Sequence, residues 1–446
     1  MRVPRPIESA IDWLRFGVPG RVDRRLLIGG GGLALVALIG LVIAVDPFGG
    51  GDDGETRVVT IAVATEDTDE APVGALGFPV LATRNTTRIS GPDPVADAAA
   101  AALATHPPAP DAPPLAATAL VPDDDWQAGI AASVLAGPPI RAPVLISQGG
   151  GVPSPTADAL SQLNPRGGDV AVYSLGGAAV PSGLKSDDLD GSSPAEIANS
   201  VDRLRQELVR REPDHIVIAS SEVAGYAMPA AAWAARSGDP VLFSGRNRVP
   251  DATIAALRRH ATAAVYILGP ESVISRGAEQ KIARVASTVT RIGAAGVVQN
   301  ALLFARYSDA SFGWNINDPG HGLILANADR PLDAAAAASL AASGKWGPLL
   351  LTETADVLPP ELRSFLLDIK PGFQTDPTRA VYNHIWLMGD ATAIGGQVQA
   401  EVDELAELAQ VGAETGGTGG VTDSEPGQPL SGEAESEPEP QKGKGK

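Results

Sequence analysis

HIVIASSEVAGYAMPAAAWAARSGDPVLFSGRNRVPDATIAALRRHATAAVYILGPESVISRGAEQKIARVASTVTRIGAAG, residues 215–296, alternates short apolar runs with segments long enough for helices. HIVIAS, PVLFS and VYILG are continuous apolar runs, the pattern of strands buried on both faces. Between the first two lies a turn and an Ala-rich stretch. Between the second and third, a Pro-containing turn opens the amphipathic segment VPDATIAALRRH. Strands that alternate with helices return in parallel, because a parallel return needs a crossover. This stretch therefore predicts a parallel α/β sheet.

The same order recurs on either side. Strands introduced by proline stand at 143–147 (PVLIS), 240–244 (PVLFS) and 348–352 (PLLLT). Each is followed by a Pro turn and a helix: VPSPTADALSQL, VPDATIAALRRH and LPPELRSFLLDI. A third strand then ends at a glycine turn, in VYSLGG, VYILGP and IWLMGD, with turn glycines Gly176, Gly269 and Gly389. A Pro-rich insertion, HPPAPDAPP, lengthens the first unit, and KPGFQTDPTRAVYN lengthens the third. The chain thus predicts three co-linear repeats.

Outside the repeats, residues 26–45 read LLIGGGGLALVALIGLVIAV without a charge. At about 1.5 Å per residue these span about 30 Å, the thickness of a hydrocarbon core. Arginines at 2, 5, 15, 21, 24 and 25 precede the run and Asp46, Asp52, Asp53 and Glu55 follow it. Basic flanks stay cytoplasmic, so one plasma-membrane span with the C-terminal domain outside is expected. With no cysteine in the chain, a lipoprotein anchor, a disulfide framework and Cys-containing metal sites are excluded. Ala, Gly and Arg richness is the coding bias of a GC-rich genome and suggests an actinobacterial source. From residue 412 onward Gly, Glu, Ser and Pro dominate, a composition that predicts disorder. The net charge of −19 disfavours nucleic acid as a partner.

The repeats resemble the type 2 cell-wall-binding repeat, which occurs in triplicate in surface proteins of Gram-positive bacteria. The resemblance spans residues 58–409 and is carried by TRISG at 87–91, TRIG at 290–293, the Pro-introduced strands and the VYILG-type turns. The middle unit has DLDGSS where TRI-G belongs, and the family's FPDAL turn survives only in part, as NADRPLDAA at 327–335. The resemblance implies three Rossmann-like parallel-sheet repeats in a pseudo-threefold arrangement, and noncovalent attachment to cell-wall polysaccharide or another envelope polymer. The expected organisation is a cytoplasmic segment at 1–25, the membrane helix at 26–45, a linker at 46–57, repeats at 58–184, 185–286 and 287–411, and an acidic tail at 412–446.

Ligands of open α/β sheets sit beyond the carboxyl ends of strands, at helix N-termini. The corresponding turns hold Asp123, Asp124, Asp125 and Trp126 in the first unit. They hold Ser220, Ser221 and Glu222 in the second, and Asn327, Asp329 and Arg330 in the third. A second ring follows the Pro-introduced strands, with Ser147, Gln148, Ser244, Arg246, Asn247, Thr352 and Glu353. Asp, Ser and Asn at such places also serve as helix N-caps. The Asp123–Asp125 run is alternatively a solvated acidic turn or a seat for a hard cation. Arg88 and Arg291 suit a phosphate or carboxylate, or equally a structural tie between repeats. Motifs for nucleotide, serine-hydrolase or zinc chemistry are missing from the sequence, so no enzyme activity, metal or cofactor is expected. The expected function is a non-catalytic tether between membrane and wall glycopolymer. The alternative is a membrane-anchored scaffold or accessory subunit that binds another envelope protein.

Overall fold

The computed structural model describes residues 80–411, except 90, 108–113, 167–168 and 344–345. The expected membrane helix, linker and acidic tail lie outside the described residues. Among the described residues no helix is long and apolar enough to cross a membrane.

The chain forms an α/β fold with three parallel sheets. In the first, the strands run in the order Val144–Ser147, Thr118–Pro122, Val172–Leu175 and Ser186–Leu189. The second repeats that order with Val241–Ser244, His215–Ser220, Ala264–Leu268 and Thr288–Ile292. The third has Trp346–Thr352, Gly322–Asn327 and His384–Met388. Its fourth strand is Thr86–Ile89, which pairs in parallel from Ile385↔Thr86 to Met388↔Ile89. Val80–Ala82 adds an antiparallel edge to it. The continuous apolar runs do form strands buried on both faces, with His215–Ser220 and Gly322–Asn327 covered along nearly their whole length.

Each fourth strand also sends its helix onward. The helix Pro194–Val209, which follows the fourth strand of sheet one, packs on Val241–Ser244 and Asp251–Arg259 of sheet two. Val297–Arg306 leaves sheet two and packs on Trp346–Thr352 and Pro360–Asp368 of sheet three. Pro94–Thr105 leaves sheet three and packs on Val144–Ser147 and Ser154–Leu163 of sheet one. The three sheets are thereby linked in a ring. Two of these helices start alike, with a capping side chain and a proline in the first turn, where its missing N–H costs nothing. Asp93 accepts from Ala96 N at 2.9 Å ahead of Pro94, and Ser193 accepts from Glu196 N at 3.4 Å ahead of Pro194.

At the centre, the segments following each first strand converge. Trp126–Ala132 with its 3-10 extension Ser133–Ala136, Ala224–Ser237, and the pair Leu332–Ala336 and Ala338–Ala342 pack mutually, each against the other two. Their Ala-rich sequence allows it, because helix separation is set by the side chains at the contact. At Gly137, just after the 3-10 segment, an added Cβ would lie 2.6 Å from the backbone oxygen of Ala235.

Candidate functional site

The register Pro122↔Ser147, Ser220↔Ser244 and Asn327↔Thr352 sets the three first-strand ends at equivalent points of their sheets. Several polar groups in the turns beyond them serve the backbone. Asp125 caps its helix by accepting from Ala128 N at 2.8 Å, and burial raises its pKa. Ser220 Oγ accepts from the N–H groups of Glu222 and Val223 at 3.1 and 3.0 Å. Asn327 accepts from Asp329 N at 2.9 Å and donates to the Ala393 carbonyl at 2.9 Å. Glu222 accepts from Arg246 N at 3.0 Å, bracing the turn after Val241–Ser244. The Ser221 carbonyl accepts from Gln127 Nε2 at 3.1 Å, which joins the turns of sheets one and two.

The second ring is likewise engaged locally. Ser147 accepts from Ala179 N at 3.2 Å, and the Gln148 backbone bonds to Gly151. Ser244 donates to the Gly245 carbonyl at 2.9 Å, the Asn247 carbonyl accepts from Lys281, and Thr352 donates to the Thr354 carbonyl at 2.9 Å. Glu353 lies close enough to Tyr226 to help burial raise that phenol's pKa.

Asp123, Asp124 and Trp126 from sheet one lie around one cleft with Asp329 and Arg330 from sheet three. With Pro94, Pro331 and Leu332 they line a cleft of about 330 Å³. Trp126 is half-buried and leans edge-on against Phe243, with ring centroids 6.3 Å apart. Asp124 and Asp329 are exposed, and among the described residues the carboxylates of Asp123, Asp124 and Asp329 accept no hydrogen bond. Arg330 behaves differently. Its Nε donates to Asp333 at 2.8 Å and its Nη2 to Asp97, both fully buried. Burial raises the pKa of Asp333 to about 6 against the opposing pull of Arg330. Burial and the neighbouring Asp333 raise that of Asp97 well above the ordinary range. Sequence reasoning missed both acids. Their signal is a lone Asp in an Ala-rich helix, in PVADAAAA and PLDAAAAA: a charge on an otherwise apolar surface needs a buried partner.

Arg88 and Arg291 both bond to protein groups of a neighbouring strand and turn. Arg88 is buried, with its pKa lowered by burial. It donates to the carbonyls of Gly389 (2.8 Å), Asp390 (2.9 Å) and Ile394 (2.7 Å), and to Gln399 Oε1 (2.9 Å). Arg291 donates to the Gly269 carbonyl at 2.8 Å and to Glu279 at 2.8 Å. Each arginine sits on a fourth strand and clamps the glycine turn of the third strand beside it.

Two further polar clusters escaped the sequence. His260, fully buried, lies between Asp202 (2.8 Å) and Glu212, while Arg259 bonds to Asp202 and Asn199. These bonds fix Pro194–Val209 to sheet two. Ser311 Oγ lies 2.9 Å from His215 Nε2, and His215 Nδ1 lies 3.4 Å from Asp239 Oδ2. That second separation exceeds the roughly 2.7–3.2 Å of good N–H···O bonds. Trp233 Nε1 already donates to the same Asp239 oxygen at 2.8 Å. The imidazole packs edge-on against Tyr266 and Phe312, whose rings stack 3.6 Å apart. The Ser311–His215 contact ties the loop around Ser311 to the side chains packed about the Tyr266–Phe312 stack. Among the described residues no three His, Asp or Glu side chains converge to hold a metal ion.

Three linked parallel sheets around small-residue helices define the architecture. Among solved structures it is shared with Cwp6 from Clostridium difficile, at a TM-score of 0.59 and 17% identity over 72% of this chain and 48% of that one. Cwp8 from Clostridium difficile gives a TM-score of 0.57 and 17% identity over 73% of this chain and 52% of that one. The chain thus spans about half the length of either. No family model and no curated protein matches it.

Proposed function

We propose that the chain is a non-catalytic, membrane-held module that binds cell-wall polymer through its three sheets. The observation that carries this reading is the cleft between the turns of sheets one and three, lined by half-buried Trp126 and by three carboxylates that accept no hydrogen bond among the described residues. A ring-stacking aromatic flanked by hydrogen-bond acceptors is the chemistry of a saccharide site. Two likenesses support it: the sequence resemblance to cell-wall-binding repeats and the fold shared with Cwp6 and Cwp8. The membrane span expected at 26–45 would hold the module near the outer face of the membrane. Co-sedimentation of the full-length protein with purified walls tests the proposal. Retention is expected, with Trp126→Ala weakening it about tenfold, or about 1.4 kcal/mol. Absence of retention on any wall preparation, with one envelope protein captured by crosslinking in cells, would favour the scaffold instead.

A further inference from the structure

Two buried carboxylates share one guanidinium where the ring of sheets closes. Asp97 lies on Pro94–Thr105, the helix that leaves sheet three for sheet one. Arg330 stands 233 residues further along the chain, in the turn after Gly322–Asn327, with Asp333 just beyond it. Both acids are fully buried. Arg330 favours Asp333: its Nε donates to Oδ2 at 2.8 Å and its Nη2 reaches Oδ1 at 3.4 Å. Asp97 receives one bond from Arg330, at Oδ2, and among the described residues nothing donates to its Oδ1. An ionised oxygen left bare in the interior is costly, whereas a buried carboxyl O–H needs only an acceptor. Asp333 is at hand as that acceptor, since a side-chain hydrogen bond with Asp97 helps hold its carboxylate ionised.

The surroundings push the same way. Asp390, in the turn after His384–Met388, and Asp93, which caps the helix, both act on Asp97 as further negative charge. Arg88, on Thr86–Ile89, also feels Asp97, but its N–H groups go to the carbonyls of Gly389, Asp390 and Ile394 and to Gln399. Ser154–Leu163, packed against the helix, carries one charged group, the exposed Asp158, while Val144–Ser147 and Ala338–Ala342 carry none. Burial and Asp333 together raise the pKa of Asp97 well above the ordinary range.

We propose that Asp97 keeps its proton in the folded chain and donates it to Asp333, which makes the ring closure a switch that loosens as pH rises. The rival arrangement is an ion triplet in which both acids are ionised around Arg330. An acid whose folded pKa lies above its unfolded value of about 3.9 contributes fully below that value, and the contribution is lost as pH rises through the folded one. The switch is independent of what the cleft binds, although Pro94 and Arg330 line that cleft.

Thermal unfolding of the full-length protein at pH about 5 and pH about 9 separates the two arrangements. Asp97→Asn keeps an N–H donor for Asp333 and an oxygen for Arg330, but cannot ionise. It should match wild type at the lower pH and melt about 4 °C above it at the higher one. His260, whose contribution also falls with rising pH, is the same in both proteins and cancels in the comparison. Asp333→Asn should instead melt below wild type at both, because it breaks the two-bond contact with Arg330. Infrared spectra of the wild type need no variant: a protonated-carboxyl band should persist at pH about 7, where ordinary carboxylates are ionised. Absence of that band would overturn the proposal. So would Asp97→Asn melting equally far below wild type at both pH values, the outcome an ion triplet predicts because a buried cation loses a partner.

Discussion

Sheet one differs from sheets two and three at the fourth strand. Sheets two and three place Arg291 and Arg88 there, and a helix follows the third strand of each, Arg276–Ala283 and Gly396–Ala406. Sheet one has Asp188 at that register position, opposite Ser174, and a helix-free loop from Gly176 to Lys185. Asp188 is exposed. A parallel strand can therefore be held without the arginine clamp where the crossover is short. The sheet without the clamp is also the one that supplies Asp123, Asp124 and Trp126 to the cleft.

The difference can be broken from either side. The largest effect is expected at Arg88. Arg88→Ala strands the buried carbonyls of Gly389, Asp390 and Ile394 and loosens the strand that closes the ring, costing about 4 kcal/mol. A urea midpoint within error of wild type would refute the clamp. Next is Gly137→Ala, whose Cβ would press on Ala235 O, at a cost of about 2 kcal/mol. An unchanged midpoint there would show that the central helices can separate. Arg291→Ala should cost about 1–2 kcal/mol, less than Arg88, because Arg291 and Glu279 are partly exposed. Asp188→Ala should move stability by no more than about 0.5 kcal/mol. If Asp188→Ala matched Arg88→Ala, the contrast between the sheets would collapse.

His260 adds a pH arm. Burial alone would lower its pKa, but Asp202 and Glu212 outweigh it and the net shift is upward from 6.5. Its contribution to stability is thus complete below about 6.5, the value in the unfolded chain, and is lost as pH rises through the raised folded value. Thermal unfolding should show this decline in the wild type, and His260→Gln should flatten it. A decline of equal size in both would assign it to other groups.

Much of the fold is legible in the sequence because its signals are local. HIVIAS, PVLFS and VYILG are strands, and the three Pro-introduced amphipathic segments are helices at 154–163, 251–259 and 360–368. What the sequence hides is partnership. Thr86–Ile89 pairs with a strand about 300 residues away, and four residues reading TTRI carry nothing that names that partner. The same holds for the handing-on of helices between sheets. Arg88 was ambiguous because strand side chains alternate faces, so burial depends on neighbours that the repeat pattern does not reveal. The rule that ligands sit at strand carboxyl ends singles out Asp123, Asp124, Trp126, Asp329 and Arg330 in the sequence as candidates. That the turns of sheets one and three line one cleft, and that Arg330 is neutralised from behind by Asp97 and Asp333, emerges only from the packing.

Hydrogen exchange of the full-length protein, with and without solubilised wall polymer, tests the binding account most directly. Polymer should slow exchange in peptides covering 121–128 and 327–334, and leave the fourth strand of sheet one at 186–189 unchanged. Protection confined to other surfaces, or none at saturating polymer, would contradict it.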